Sequence, residues 1–274
     1  MIDANVSLFR WPFRRLAGDD PAELVARLRK QGVSQAWAGS YEALIMRDVS
    51  GVNARLAAAC RQHGPDFLIP FGVVNPKEPD WKEALRRCQE LHKMPGIRLN
   101  PDYHGYKLND PVVAELFALA ESRKMVVQLA FLMEDERTQF PLMMVPPVDP
   151  APLADLLKRT PGLRLLILNR KRQITLAPEV AQSMNVYSDI AMWEGVGGVA
   201  RLMDQFSPSR VLFGSHSPFF CFDSAFLKSG KRARRRIKTR PCWRGMPARC
   251  SSDDARLERD DFVEAPFRAA FLCW

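Results

Sequence analysis

Long apolar runs are missing from this chain of 274 residues. None reaches the ~18 residues that a membrane helix needs, so no transmembrane span is expected. The start has no basic stretch followed by an apolar one, and a secretory leader is not expected either. Cysteine is sparse and scattered, at Cys60, Cys88, Cys221, Cys242, Cys250 and Cys273, with no C-x-x-C pair. That spacing argues against a zinc ribbon or a disulfide scaffold and points to a reducing cytoplasm. Gly-x-Gly-x-x-Gly and Walker loops are absent too, which weakens dinucleotide and nucleotide readings. Histidine is scarce, with four residues in all.

A charge excess is lacking over most of the length. The formal net charge is +9, but residues 229–274 hold twelve basic and six acidic side chains, leaving 28 against 25 over 1–228. The main body is therefore nearly neutral, and its charge does not suggest a nucleic-acid partner.

What is present is an alternation. Short apolar runs at Ile2–Val6, Val33–Ala38, Phe67–Val74, Gly96–Leu99, Met125–Phe131, Leu163–Leu168, Val186–Ile190 and Val211–Phe213 read as strands buried on both faces. Helical spacing of apolar residues fills the intervals at Pro21–Gln31, Gly51–His63, Trp81–His92, Asp110–Arg123, Ala151–Arg159, Pro178–Met184 and Gly195–Phe206. Eight strands with intervening helices predict an α/β fold, a (β/α)8 TIM barrel over residues 1–228. In such a barrel the chemistry sits at the carboxyl ends of the strands.

Residues 229–274 differ in character. Lys231-Arg-Ala-Arg-Arg-Arg-Ile-Lys-Thr-Arg240 has neither an acidic residue nor an apolar face, and two prolines follow in Pro241–Cys250. A basic arm for phosphate backbones, a solvated disordered tail and an out-of-frame translation are the three readings, and the Arg/Pro/Cys/Trp clusters favour the last. On this reading the helix that should close the barrel is missing or replaced after about Leu227.

Several motifs stand in a specific order: Ile2-Asp-Ala-Asn-Val-Ser7, Gly96-Ile-Arg-Leu-Asn-Pro101 with Tyr103-His-Gly-Tyr106, Leu166-Ile-Leu-Asn169, Val186-Tyr-Ser-Asp-Ile190 and Leu212-Phe-Gly-Ser-His216. In that order the chain resembles the amidohydrolase-related family of TIM-barrel metal-dependent hydrolases and decarboxylases, over roughly residues 1–227. The resemblance implies hydrolysis or decarboxylation of small molecules. It also implies a metal site with an Asp-x-His-x-His opening, a histidine after the fifth strand, often another after the sixth, and an aspartate after the eighth. Here the opening is Asp3-x-Asn5-x-Ser7, Met125–Phe131 has no histidine, the sixth strand ends in Asn169, and His216 stands where the aspartate belongs. Amide and hydroxyl groups are poor zinc ligands. Neither a metal ligand set nor a cofactor is therefore expected, the family zinc being lost.

The polar residues at the strand ends are the remaining candidates. His216, His104 and Asp189 are the candidate catalytic groups; Asn5, Ser7, Arg98, Asn100, Tyr106, Asn169 and Glu194 are the candidate substrate-binding groups. His216 fits a general base, a substrate partner or a ring satisfied by Asp3 or Asp189. Arg98 fits either a fork onto a substrate carboxylate or an internal salt bridge with Asp3 or Asp189. His104 fits an acid–base group or a hydrogen bond that orders its loop. Ser215 and Ser217 flank His216, but spacing alone does not make a triad. Asp135 with Arg137 reads as a solvated charge run or a loop-ordering pair, and His63 and His92 as helix-end residues. The expected partner is a small polar or anionic ligand bound by a hydrolase or decarboxylase-like lyase, possible as a homo-oligomer, with no membrane involved. The alternative is a catalytically silent barrel that binds a ligand or another protein.

Overall fold

The apolar runs form parallel strands that pair in chain order. They are β1 (Ile2–Leu8), β2 (Gln35–Ser40), β3 (Leu68–Pro70), β4 (Gly72–Val73), β5 (Gly96–Leu99), β6 (Val126–Ala130), β7 (Arg164–Leu168), β8 (Val186–Asp189) and β9 (Val211–Leu212). The computed structural model describes residues 1–234. One sheet runs β1-β2-β3 and the other β4 through β9. The run expected as a single strand over Phe67–Val74 is split at Phe71, just after Pro70, which has no N–H to give to a ladder. Phe71 N still donates to Ala38 O at 2.8 Å, so the break is spanned. The ring is joined on its other side as well. Ala4 N donates to Phe213 O (2.9 Å), His216 N to Asn5 O (2.8 Å) and Ser7 N to Ser217 O (2.9 Å). The fold is the α/β TIM barrel that the alternation predicts.

The helices lie between the strands: α1 (Pro21–Lys30), α2 (Val49–His63), α3 (Trp81–Glu90), α4 (Pro111–Ser122), α5 (Leu153–Arg159), α6 (Pro178–Gln182) and α7 (Gly198–Gln205). Their local causes are visible. Asp20 caps α1 by accepting from Ala22 N (2.9 Å) and Glu23 N (3.0 Å), with Pro21 in the first turn. Asp48 does the same for α2 through Gly51 N at 2.8 Å. Each helix turns an apolar stripe inward: Trp81, Ala84, Leu85 and Cys88 on α3, and Val113, Leu116, Phe117 and Ala120 on α4. Fully burying a leucine such as Leu85 or Leu116 stabilises the fold by roughly 1.5–3 kcal/mol.

A further helix, α8 (Phe222–Arg234), follows β9 and buries Phe222, Ala225 and Ser229. It crosses residue 228, where the sequence reading ended the barrel. The readings made for the basic segment beyond 234 lie outside the described residues. Among the described residues, no helix is long and apolar enough to cross a membrane.

Candidate functional site

Asp3, Asn5 and Ser7 on β1 are all buried, although the register with β2 slips between Asp3 and Val6. Asp3 Oδ1 accepts from the main-chain N–H of Asn5 (3.1 Å) and of Ser215 (3.0 Å), tying β1 to the segment after β9. Burial pushes the Asp3 carboxyl up to about 7.

Asn5 is the hub of a network linking three strand ends. Asn169 gives Nδ2–H to Leu132 O at 2.8 Å, so its Oδ1 faces Asn5, whose Nδ2 donates to it at 2.7 Å. The same Asn5 amide donates to Asp189 Oδ2 at 2.7 Å, and Asn169 N donates to Asp189 Oδ1 at 3.0 Å. The carbonyl of Leu132 thus orients the whole chain of donors. Asp189 ends β8 in full burial, which raises its carboxyl to about 6 against the lowering effect of the Asn5 bond. Gly214 makes room for the pair: a Cβ there would lie 2.9 Å from Asp189 Oδ2 and 3.0 Å from Asn5 Cβ.

Arg98, on β5, crosses the barrel interior. Its Nε donates to Gln128 Oε1 (2.8 Å), and its Nη1 to Ser7 Oγ (3.0 Å) and Val6 O (3.1 Å). It takes neither of the carboxylates considered from sequence; neutral oxygens hold it instead. Burial lowers its guanidinium to about 10. Gly39 admits it, since a Cβ there would stand 2.5 Å from Arg98 Nη1. Gln128 also donates to Ala4 O at 3.2 Å. Sequence reading passed over Gln128, although one polar residue inside the apolar run Met125–Phe131 was a visible signal.

His216 follows β9 in the left-handed region at φ 56°, and Asn169 shares that conformation at φ 57°. Asparagine tolerates it; for histidine it is uncommon, and such backbones concentrate at functional sites. His216 Nε2 donates to Met133 O at 2.7 Å, leaving Nδ1 as an acceptor with no partner among the described residues. Burial drives the imidazole down to about 4, so the ring is neutral at physiological pH. Ser215 and Ser217 bond each other, Oγ to Oγ at 2.7 Å, rather than meeting the ring.

An aromatic lid covers this ring. Phe219 stacks on His216 (centroids 5.1 Å) and Phe220 meets it edge-on at 5.3 Å. Trp11 packs edge-on against Phe219 at 5.0 Å and Tyr41 at 5.2 Å. Arg14 lies over the Phe219 ring, 5.0 Å from its centre, and its Nη1 pairs with the buried Glu134 Oε2 at 2.9 Å. None of these lid residues was singled out from sequence. Their signals were the aromatic runs Trp11-Pro-Phe13 and Pro218-Phe-Phe220.

The other candidates lie apart from the network. His104 Nε2 donates to Ala43 O at 2.8 Å, pinning its loop to the one after β2. Asn100 is buried beside a cavity of about 10 Å³, also lined by Asp102, Tyr103 and Met133, which is room for one water. Tyr106 is buried with its hydroxyl unpartnered. Glu194 is exposed on the loop after β8. Asp135 and Arg137 do pair, Nε to Oδ1 at 2.8 Å, on the surface.

The donors at the strand ends do not fit the zinc that the family resemblance implies. Among the described residues, no three His, Cys, Asp or Glu side chains group as a metal would need. Asn5 turns N–H groups, not a lone pair, toward Asp189 and Asn169.

The sequence matches the family model described as Amidohydrolase over residues 7–234. The chain belongs to the amidohydrolase family. Solved structures similar to this amidohydrolase barrel agree on the fold. A 2,6-dihydroxybenzoate decarboxylase from Rhizobium has TM-score 0.64 and 13% identity over 86% of this chain and 96% of that one. A 5-carboxyvanillate decarboxylase from Novosphingobium aromaticivorans, bound to manganese, has TM-score 0.59 and 11% identity over 86% and 94%. An uncharacterised TIM-barrel protein from Bordetella bronchiseptica has TM-score 0.63 and 15% identity over 86% and 95%. No curated protein shows a significant match to the sequence.

Proposed function

We propose that this amidohydrolase-family barrel is a decarboxylase-like lyase, or else a hydrolase, of a small aromatic carboxylate, working at the strand ends without a bound metal. The observation that supports it is that two buried titratable groups stand at neighbouring strand ends: His216, neutral and with an open Nδ1, and Asp189, raised to about 6 by burial. Groups with these properties suit proton transfer. In decarboxylation, protonated Asp189 gives its proton to the ring carbon; the carbon–carboxylate bond then breaks, its electron pair restores the ring, and carbon dioxide leaves. In hydrolysis of an ester or amide carried on the ring, His216 Nδ1 takes a proton from the attacking water, the water oxygen bonds the carbonyl carbon, and the bond to the leaving group breaks as that group takes the proton back. The decarboxylases of similar fold lend the substrate class, as acids carried on an aromatic ring.

A second reading has its own support. His216 is wholly buried beneath the lid, as a barrel that binds without turning over would allow. The two separate in one assay. Purified protein is given 2,6-dihydroxybenzoate and 5-carboxyvanillate, and carbon dioxide release is followed with and without added manganese. Carbon dioxide release without manganese, reduced about 100-fold or more in Asp189→Asn, is the expected result. Release that requires manganese, or that survives Asp189→Asn, would sink the metal-free mechanism; none under any condition leaves the silent barrel.

A further inference from the structure

The loop that joins β1 to α1 packs onto the aromatic lid, and it is held there in an unusual way. Among the described residues, the main chain of 10–15 exchanges no hydrogen bond with other main chain. Side chains bind this stretch to the barrel instead. Trp11 packs against Tyr41 and Phe219, Phe13 stacks on Phe140 at 6.1 Å, and Arg14 lies over Phe219 and reaches Glu134. Both ends, in contrast, are fixed. Phe9 adopts the left-handed region at φ 68° and Gly18 at φ 69°. Arg27 clamps the second end by donating to Ala17 O (3.3 Å) and Gly18 O (3.2 Å). A segment pinned at both ends, with no main-chain bonds between them, has the build of a hinged lid.

One of these links is an ion pair. Arg14 Nη1 donates to Glu134 Oε2 at 2.9 Å, with the Arg14 side chain 41% exposed and that of Glu134 1%. A pair exposed on both sides would contribute little. Here separation returns only the cation to water and leaves the carboxylate buried, with Thr138 Oγ1 at 3.4 Å as its other hydrogen-bond partner. Stranding a buried charge is costly, so closure is favoured. The place of Glu134 ties this pair to the inner site. It follows Leu132 and Met133, whose carbonyls accept from Asn169 Nδ2 and His216 Nε2. Phe219, which Trp11 and Arg14 both touch, is itself the ring stacked on His216. Withdrawing Arg14 and Trp11 therefore frees Phe219 to turn away from the imidazole.

We propose that residues 9–18 form a gate over His216, pivoting at Phe9 and Gly18 and latched by the Arg14–Glu134 pair. Closed, the gate keeps His216 wholly buried; open, it admits a small molecule to Nδ1. The gate rests on the contacts of this loop and not on the catalytic reading above. Its test uses no turnover, so either idea can fail alone.

The full chain is treated with diethyl pyrocarbonate, and mass spectrometry follows the His216 and His104 peptides separately. His104, pinned to Ala43 O from the loop after β5, reports any general loosening of the fold. Arg14→Met and Glu134→Gln each remove the latch. Glu134→Gln keeps the shape of the buried side chain, so it reads the latch even where Arg14→Met fails to fold. Each should speed modification of His216 by about tenfold while leaving His104 unchanged. Arg14→Lys should stay close to the wild-type rate, since a single contact needs the charge rather than the fork. The double variant should be no faster than the faster single one, because both changes remove the same interaction. A His216 rate less than about threefold above the wild type in Glu134→Gln overturns the gate. So does acceleration of His104 by the same factor, Arg14→Lys as fast as Arg14→Met, or additive effects in the double variant.

Discussion

Two layers of the same mouth treat charge in opposite ways. In the inner layer, Asp3, Asn5, Asn169, Asp189 and His216 are buried, and burial moves both carboxyls up and the imidazole down. Each shift favours the neutral form. In the outer layer, Arg10, Arg14 and Arg15 are exposed to water, and Arg14 and Arg15 form ion pairs there. The difference shows what the aromatic lid does physically. Phe219, Phe220 and Trp11 separate a layer of low polarity, where a hydrogen bond decides a proton's position, from a wet one, where ion pairs are weak.

The largest predicted effect breaks the inner layer. Asn5→Leu strands Asp189 Oδ2 and Asn169 Oδ1 without their common donor, and two orphaned buried acceptors should cost about 3 kcal/mol in urea unfolding. A loss below ~1 kcal/mol would mean that the network contributes little.

Next comes pH. Asp3 binds its proton more tightly folded than unfolded, since its carboxyl is raised to about 7. Its contribution to stability is therefore complete below the unfolded value and lost as pH rises through 7. Asp189 acts in the same direction up to about 6, whereas His216, lowered to about 4, opposes them by favouring the fold as pH rises. Asp3→Asn keeps an oxygen for both main-chain donors and removes the titration. Its stability relative to the wild type should improve by about 3 kcal/mol between pH 4.5 and 8. A difference independent of pH would show that Asp3 is not protonated in the fold.

The lid gives a third test, read as a rate. Phe219→Ala should speed diethyl pyrocarbonate modification of His216 by about tenfold or more, since a wholly buried ring is reached by opening of the structure; mass spectrometry of the His216 peptide measures it. An unchanged rate would show that Phe219 does not limit access. The smallest effect belongs to the outside. Arg137→Ala removes an exposed pair with Asp135 and should shift stability by no more than about 0.5 kcal/mol.

The strands, helices and barrel closure were legible because burial on both faces leaves a plain apolar signature, and Val126–Ala130 and Arg164–Leu168 carry it. The gathering of Asn5, Asn169 and Asp189 was foreseeable as well, since each stands at a strand end. Partners were not legible. Whether Arg98 meets Asp189 or Gln128 depends on register between neighbouring strands, Arg98 lying opposite Gln128. The lid escaped notice because aromatic residues in loops look alike whether they cover a site or a surface.

Sequence alone determined the barrel, the polar positions Asp3, Asn5 and Ser7 along the first strand, and the histidine that ends the last strand. These follow from local periodicity, which each segment carries within itself. Tertiary structure alone decided that His216 is neutral beneath Phe219 and that Arg98 rests on neutral oxygens. Those properties arise from burial and from contacts between segments far apart in the chain, and no local pattern encodes them.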